Sequence, residues 1–291
     1  MRDVIVFAGT SEGRQLYGFC ADKGIDALFC VATDYGREVL DLEEADRRKR
    51  AEGFCDNKLC KLKIHTGRMT GEEMEALFLQ EKPCLVIDAT HPYAAQATEQ
   101  IRGAAEHYRK AQNIDGQVYC RVLRQLQETE VSDASAFTDM AQAVAYLNST
   151  EGNILVTTGS KEMDKLCKLD GYVKRVYVRI LPNPHILQQY LDRGFPAGHM
   201  ICMQGPFTEE MNRAVMEQYN IRYLLTKQSG SAGGYPEKCR AAQAAGVELV
   251  VVLPPKETEG CSVEEAEKLI VSRMKDMTDA ERTENGRWEN R

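Results

Sequence analysis

Six short segments carry residues that could do chemistry, and each lies where an apolar run stops. The first is Val4-Ile-Val-Phe-Ala-Gly-Thr-Ser-Glu-Gly-Arg14. Gly9 would let a ligand approach the backbone closely, and Thr10 and Ser11 offer hydroxyls. A helix starting near Glu12 would turn its free N–H groups toward a phosphate. The segment is neither G-x-G-x-x-G nor a Walker loop, so a plain structural turn reads as well. The second is Ala32-Thr-Asp-Tyr-Gly-Arg37. In a dinucleotide fold the loop after the second strand meets the adenosine ribose, where an Asp suits NAD and an Arg suits the 2′-phosphate of NADP. Asp34 and Arg37 are both present, and the bland reading of Arg37 is a surface arginine. The third is Leu85-Val-Ile-Asp-Ala-Thr-His-Pro-Tyr-Ala-Ala95. Pro92 suits the first position of a helix, with His91 as its cap. Asp88, Thr90, His91 and Tyr93 would then cluster at one sheet edge. Asp88 within an apolar strand needs hydrogen-bond partners. A structural network and an active site are equally good readings of that cluster.

The remaining three segments lie further along the chain. Leu155-Val-Thr-Thr-Gly-Ser-Lys161 and Met203-Gln-Gly-Pro-Phe207 each place small, polar or basic residues at a strand end. Leu224-Leu-Thr-Lys-Gln-Ser-Gly-Ser-Ala-Gly-Gly234 does the same, and Glu237, Lys238 and Arg240 follow it. Lys227 leaves an apolar strand just before a loop of glycines and serines whose N–H groups could approach an anion. Lys227 and Ser229 are therefore candidates for catalysis.

The elements that must position these residues alternate along the chain. Strands are predicted at Val4–Ala8, Ala27–Ala32, Leu62–Thr66, Leu85–Ala89 and Val118–Leu123. Five more are predicted at Ile154–Thr158, Arg175–Leu181, Met200–Met203, Tyr223–Thr226 and Glu248–Leu253. Helix-length patterns such as Ala94–Arg109 and Glu209–Tyr219 lie between them. This rhythm predicts an α/β protein with parallel, doubly wound sheets. Two sheets of about five strands are more reasonable than one of about ten. The hydrophobic runs lapse at Gln125–Ser135, which predicts domains over 1–128 and 129–277. Ser262 and Glu265 form a capping box opening a helix over Val263–Met277. The polar stretch 278–291 is expected to be disordered.

Composition narrows the function classes. The chain has 291 residues, 43% hydrophobic and 28% charged, with a net charge of -7. An acidic balance argues against non-specific nucleic-acid binding. No apolar run reaches membrane-spanning length, and Met-Arg-Asp running into a strand predicts no secretory signal. Glu43–Glu52, with Arg47, Arg48, Lys49 and Arg50, reads as a solvated face, or else as an anion site. Ten cysteines contain no C-x-x-C pair. They are expected to be reduced and structural in a cytoplasmic protein, with no bound metal. Cys55 and Cys60 lack histidine partners at ligand spacing.

Taken together, the segments are more specific than any one of them. Gly-Thr-Ser-Glu-Gly-Arg, Asp-Ala-Thr-His-Pro-Tyr, Thr-Thr-Gly-Ser-Lys, Met-Gln-Gly-Pro-Phe and Thr-Lys-Gln-Ser-Gly occur in order over residues 4–254. The chain resembles the precorrin-6A and cobalt-precorrin-6A reductases of cobalamin biosynthesis. The resemblance implies two Rossmann-like domains, an active-site cleft between them, and NADPH reducing a tetrapyrrole macrocycle to the 6B form. It implies Gly9, Thr10, Ser11, Glu12, Arg37, Asp88, Thr90, Thr158 and Gly159 as cofactor contacts. Arg14, Lys161, Gln204 and Lys238 are the implied substrate contacts, because the macrocycle carries many carboxylates. Lys227, Ser229, His91 and Tyr93 are the catalytic candidates, and solvent could equally supply the proton. A monomer or weak dimer is expected, with other enzymes of the pathway as partners. The alternatives are an NADP-binding regulator without turnover, and a two-domain tetrapyrrole enzyme that uses no nicotinamide.

Overall fold

The structure is a computed structural model that describes residues 3–51, 62–123, 134–229, 233–257 and 259–288. The chain forms two compact units, one of Met1–Gln125 with Lys256–Arg291 and the other of Leu126–Pro255. The expected boundary at 128/129 lies outside the described residues, as do Cys55, Cys60 and part of the loop after Ser229.

The first unit begins β1(Val4–Ala8), α1(Ser11–Lys23), β2(Ala27–Val31), α2(Asp34–Ala51), β3(Lys63–Thr66) and α3(Gly71–Glu81). It continues with β4(Leu85–Ala89), α4(Ala95–Ala111) and β5(Tyr119–Arg121). The strands are parallel in the order β3-β2-β1-β4-β5. Every residue of β1, β2 and β4 is buried, as a parallel sheet covered on both faces requires. One apolar layer joins Val4, Val6, Leu16, Phe29 and Ile87, and the other joins Ile5, Phe7, Phe78, Val86 and Ile101.

The second unit runs β6(Ser135–Phe137), α5(Met140–Asn148), β7(Asn153–Val156), α6(Met163–Leu166), α7(Tyr172–Arg175), β8(Val176–Ile180) and α8(Pro184–Asp192). It continues with β9(Met200–Cys202), α9(Glu209–Gln218), β10(Ile221–Lys227), α10(Tyr235–Ala245) and β11(Glu248–Val252). Its six parallel strands are ordered β6-β11-β10-β7-β8-β9. The expectation of five strands fails at β6. Ser135-Ala-Phe137 is too short and polar to stand out, and it is a strand because it pairs with Val250–Val252 of β11.

The last helix, α11(Val263–Trp288), departs from the expected division. Its capping box is present: Glu265 N–H donates to Ser262 Oγ, and Ser262 N–H to the Glu265 carboxylate. Ala266 and Ile270 pack with Leu16, Phe29 and Ile87. Residues 256–277 thus join the first unit rather than the second. α11 runs on past 278, to Trp288. Ala, Glu and Arg in that stretch have good helix propensity, and elongation from a capped start needs no new nucleus.

Candidate functional site

Each sheet has one point where neighbouring strands lead off to opposite sides, β1/β4 in the first and β7/β10 in the second, and part of the predicted set lies there. In the first sheet the reversal lies between β1 and β4, whose carboxyl ends diverge into separate connections. Thr10 caps α1: its Oγ1 accepts from Gly13 N–H (3.4 Å) and donates to the Ala89 carbonyl (2.9 Å). One hydroxyl thus ties the helix start to β4. A Cβ on Gly9 would stand 3.8 Å from His91 N and 3.8 Å from Thr90 Cα, so Gly9 faces the turn after β4. Gly13 has a different task. A Cβ there would lie 2.9 Å from Ala8 Cβ, so only glycine lets α1 lie this close to β1. Ser11 donates to the Glu12 carboxylate (3.0 Å) at the helix start.

The turn after β4 differs from the expectation. α4 begins at Ala95, not at Pro92. His91 captures Tyr93 N–H on Nδ1 (3.3 Å), and its carbonyl accepts Ala94 N–H (2.7 Å). These bonds close a tight turn before the helix and stack the His91 and Tyr93 rings 5.4 Å apart.

Asp88 is wholly buried and fully engaged. Its Oδ1 accepts from Thr90 N (3.0 Å), Thr90 Oγ1 (2.6 Å) and Arg121 Nη1 (2.8 Å), and its Oδ2 from the Tyr119 hydroxyl (3.2 Å). Arg121, also buried, donates to the Thr90 carbonyl (3.0 Å) and through Nε to Glu257 (2.9 Å). Burial, then the Asp88 charge, pushes the Tyr119 phenol far up. Arg121, Tyr119 and Glu257 were missed by sequence reasoning. Arg121 carried a signal, because it is a charge inside the apolar run Val118–Leu123, as Asp88 is inside Leu85–Ala89.

Arg37 sits in the first turn of α2, exposed, with Nε 3.6 Å from Asp41. Arg14 and Ser11 line a groove of about 540 Å³ together with Asp22 and Glu267. A cavity of about 610 Å³ lies along β5 and the start of α11, lined by Arg102, Tyr119, Arg121, Cys120 and Cys261. It holds none of the predicted site residues.

In the second sheet the reversal lies between β7 and β10. Thr158 and Gly159 follow β7, and Lys227 ends β10. Lys227 Nζ donates to Glu162 Oε1 (2.8 Å), which bridges the two strand ends. Burial pushes the Glu162 carboxyl up, but hydrogen bonds from Lys227 and Lys165 outweigh it and hold the group below its ordinary value. Thr158 Oγ1 is buried and has no hydrogen-bond partner among the described residues. Ser229 Oγ donates to the Gly233 carbonyl (3.3 Å) ahead of α10. Lys161 and Gln204 are exposed, the latter beyond β9. The structure therefore brings Thr158, Gly159 and Lys227 together and leaves Gln204 on a more distant strand.

Lys238 is not at the surface. It is 6% exposed in the first turn of α10, and Nζ donates to Thr226 Oγ1 (3.3 Å). Burial, and then the charge of Arg179, lowers its pKa from 10.5 to about 8. Arg179 on β8 is 8% exposed, donates to Asn212 Oδ1 (2.8 Å) and stacks over the Phe207 ring at 4.0 Å. Burial lowers its pKa to about 10.

The described cysteines are free thiols, and burial pushes Cys30 up to about 12 and Cys84 up to about 11. Among the described residues no group of three or more His, Cys, Asp or Glu could hold a metal ion, and no helix is long and apolar enough to cross a membrane.

Comparison with known proteins agrees with this architecture. A chain titled CobK precorrin-6A reductase superposes with a TM-score of 0.64, covering 94% of this chain and 98% of that one at 19% identity. The cobalt-precorrin-6A reductase of Priestia megaterium is 28% identical over 257 residues, which span 87% of this chain and 91% of that protein. The enzyme of the same name from Salmonella typhimurium is 27% identical over 256 residues, 87% of this chain and 88% of its own. The family described as Precorrin-6x reductase CbiJ/CobK matches residues 3–272. With almost the whole chain matched and both sheets in place, the protein belongs to the precorrin-6x reductase CbiJ/CobK family.

Proposed function

We propose that this reductase reduces precorrin-6A, or its cobalt form, with NADPH in the cytoplasm. The crevice at the β1/β4 reversal carries the reading. Its residues suit a dinucleotide: Gly9 leaves the backbone open beside the Thr90-His91 turn, and Gly13 lets α1 start hard against the sheet. Gly9, Thr10 and Ser11 would hold the phosphates at the start of α1, where the helix dipole favours negative charge. Arg37, one strand over, would pair with the 2′-phosphate. The nicotinamide, when bound, supplies the hydride.

The chain's own residues position and polarise. Asp88 has no carboxylate oxygen to spare, so it acts through Thr90, whose backbone and hydroxyl it fixes. His91 and Tyr93, stacked on the turn, are the candidate proton donors in this unit. Lys227, steadied by Glu162, would stabilise charge developing on the macrocycle, with Thr158, Gly159 and Ser229 beside the same edge. Arg14 and Lys161 would meet substrate carboxylates.

The test is steady-state oxidation of the nicotinamide with precorrin-6A and cobalt-precorrin-6A. Turnover with NADPH at a kcat/KM at least tenfold above that with NADH is expected. Tight nucleotide binding without turnover of either macrocycle would overturn the reading.

A further inference from the structure

Two buried cations lie over one face of the second unit's sheet. Arg179 and Lys238 come from β8 and α10, and their side chains share one face of the sheet. Tyr177, two residues before Arg179, and Leu224, two before Thr226, pack into the same apolar layer, which α9 and α10 cover. On that face, Lys238 Nζ donates to the Thr226 hydroxyl. The Arg179 guanidinium meets Asn212 Oδ1 and the Phe207 ring. Among the described residues neither cation makes a salt bridge. Glu237 is the acidic neighbour whose charge reaches Lys238; its Oε1 is committed to Arg240 (3.2 Å), and its buried Oε2 has no hydrogen-bond partner among the described residues and no salt bridge to Lys238.

A fold seldom buries two like charges over one face of a sheet. Each ion taken out of water costs several kcal/mol unless it is paired, and Arg179 and Lys238 also repel each other. The arrangement makes sense when an anion completes it. The first turn of α10 adds a third positive influence behind Lys238. A guanidinium fork held over an aromatic ring, with a second positive charge on the same face, suits a planar oxyanion.

We propose that Arg179 and Lys238 form a carboxylate subsite of this enzyme, which takes one acidic side chain of the macrocycle. The assignment of the macrocycle rests on the function proposed above. Dinucleotide phosphates are the competing source of an oxyanion, and the β1/β4 crevice already offers them a helix start.

The experiment uses the full-length enzyme with Lys238→Met and Arg179→Gln. Macrocycle affinity is measured by absorbance titration, NADPH affinity by fluorescence, and stability of the unliganded protein by thermal melt. Malonate, a small dicarboxylate, serves as a second probe. Each variant should weaken macrocycle binding about 10- to 100-fold, the worth of a charge-assisted hydrogen bond. NADPH affinity should stay within about twofold. The Lys238→Met melting temperature should hold or rise, because an unpaired buried charge is gone. Malonate should raise the melting temperature of the wild type and not of Lys238→Met.

Unchanged macrocycle binding in both variants would overturn the subsite while leaving the proposed substrate standing. Loss of NADPH affinity would assign the cations to phosphate and overturn it too. A fall in melting temperature that accounts for the weaker binding would make the pair structural. If the wild type ignores the macrocycle but malonate protects it through Lys238, the carboxylate site stands and the proposed substrate falls.

Discussion

Removing the Asp88 carboxylate should cost the first unit more than any single apolar truncation at its surface. Asp88→Ala takes one acceptor from each of Thr90 N, Thr90 Oγ1, Tyr119 and Arg121 at once. It also leaves Arg121, 3% exposed, with Glu257 as its remaining ion-pair partner. Breaking a buried pair by deleting one partner costs about 3–5 kcal/mol, against a total of about 5–15 kcal/mol for an ordinary domain. Removing both charges should cost much less than the two single losses added together, because no charge is then stranded. The Asp88→Ala, Arg121→Met and double variants therefore form a cycle with a coupling of roughly 2 kcal/mol or more. Urea denaturation followed by circular dichroism measures it, and NADPH titration of the same proteins tests whether Thr90 loses its place beside Gly9. An Asp88→Ala loss below about 1 kcal/mol would refute this account, as would strict additivity of the two single variants.

The other predictions are separate from that network. Arg37→Ala should weaken NADPH about 10- to 100-fold and leave NADH unchanged, and equal losses in a fluorescence titration would remove Arg37 from the 2′-phosphate. Gly13→Val should push α1 off β1, destabilising by about 1–3 kcal/mol and weakening NADPH. A thermal melt equal to wild type would contradict the close approach to Ala8. Lys227→Ala should lower kcat/KM about 10²-fold, or roughly 2.7 kcal/mol, with a stability loss near 1 kcal/mol because Glu162 keeps Lys165. Near-normal turnover would return Lys227 to a structural ion pair. Lys238 titrates near 8 in the folded protein and at 10.5 ordinarily, so the unfolded chain binds more protons between those values. The stability of the wild type relative to Lys238→Met should therefore rise with pH across that window, by roughly 3 kcal/mol. A flat difference in paired denaturation curves would show that Lys238 keeps its ordinary pKa.

How far the site could be read from the sequence depended on whether a partner was local. The apolar runs of β1 and β2, and that of β4 interrupted by Asp88, read as strands of a parallel sheet covered on both faces. The turns that follow them are local too, and Thr10 caps α1 through the residue three positions on. The His91 turn failed because a proline at a helix start is a statistical preference, which one ring nitrogen on Tyr93 N–H overrides. The strand Ser135–Phe137 and the docking of α11 failed for a different reason. Each depends on a surface supplied by distant chain, β11 for the strand and the first sheet for Ala266 and Ile270.

The charged residues inside apolar strands show the same limit in sharper form. Asp88, Arg121 and Arg179 each interrupt an apolar run near its carboxyl end. Desolvation makes such a residue untenable alone, so each one announces a buried network or a ligand. The sequence cannot say which, because the answer is set by strand register. Asp88 stands directly opposite Arg121 on the neighbouring strand, and the pair neutralises itself. Arg179 stands opposite Ile201, and among the described residues no carboxylate forms a salt bridge with it. One residue pattern thus closes a structural network in the first sheet and leaves positive charge open in the second, where an acidic substrate would complete it.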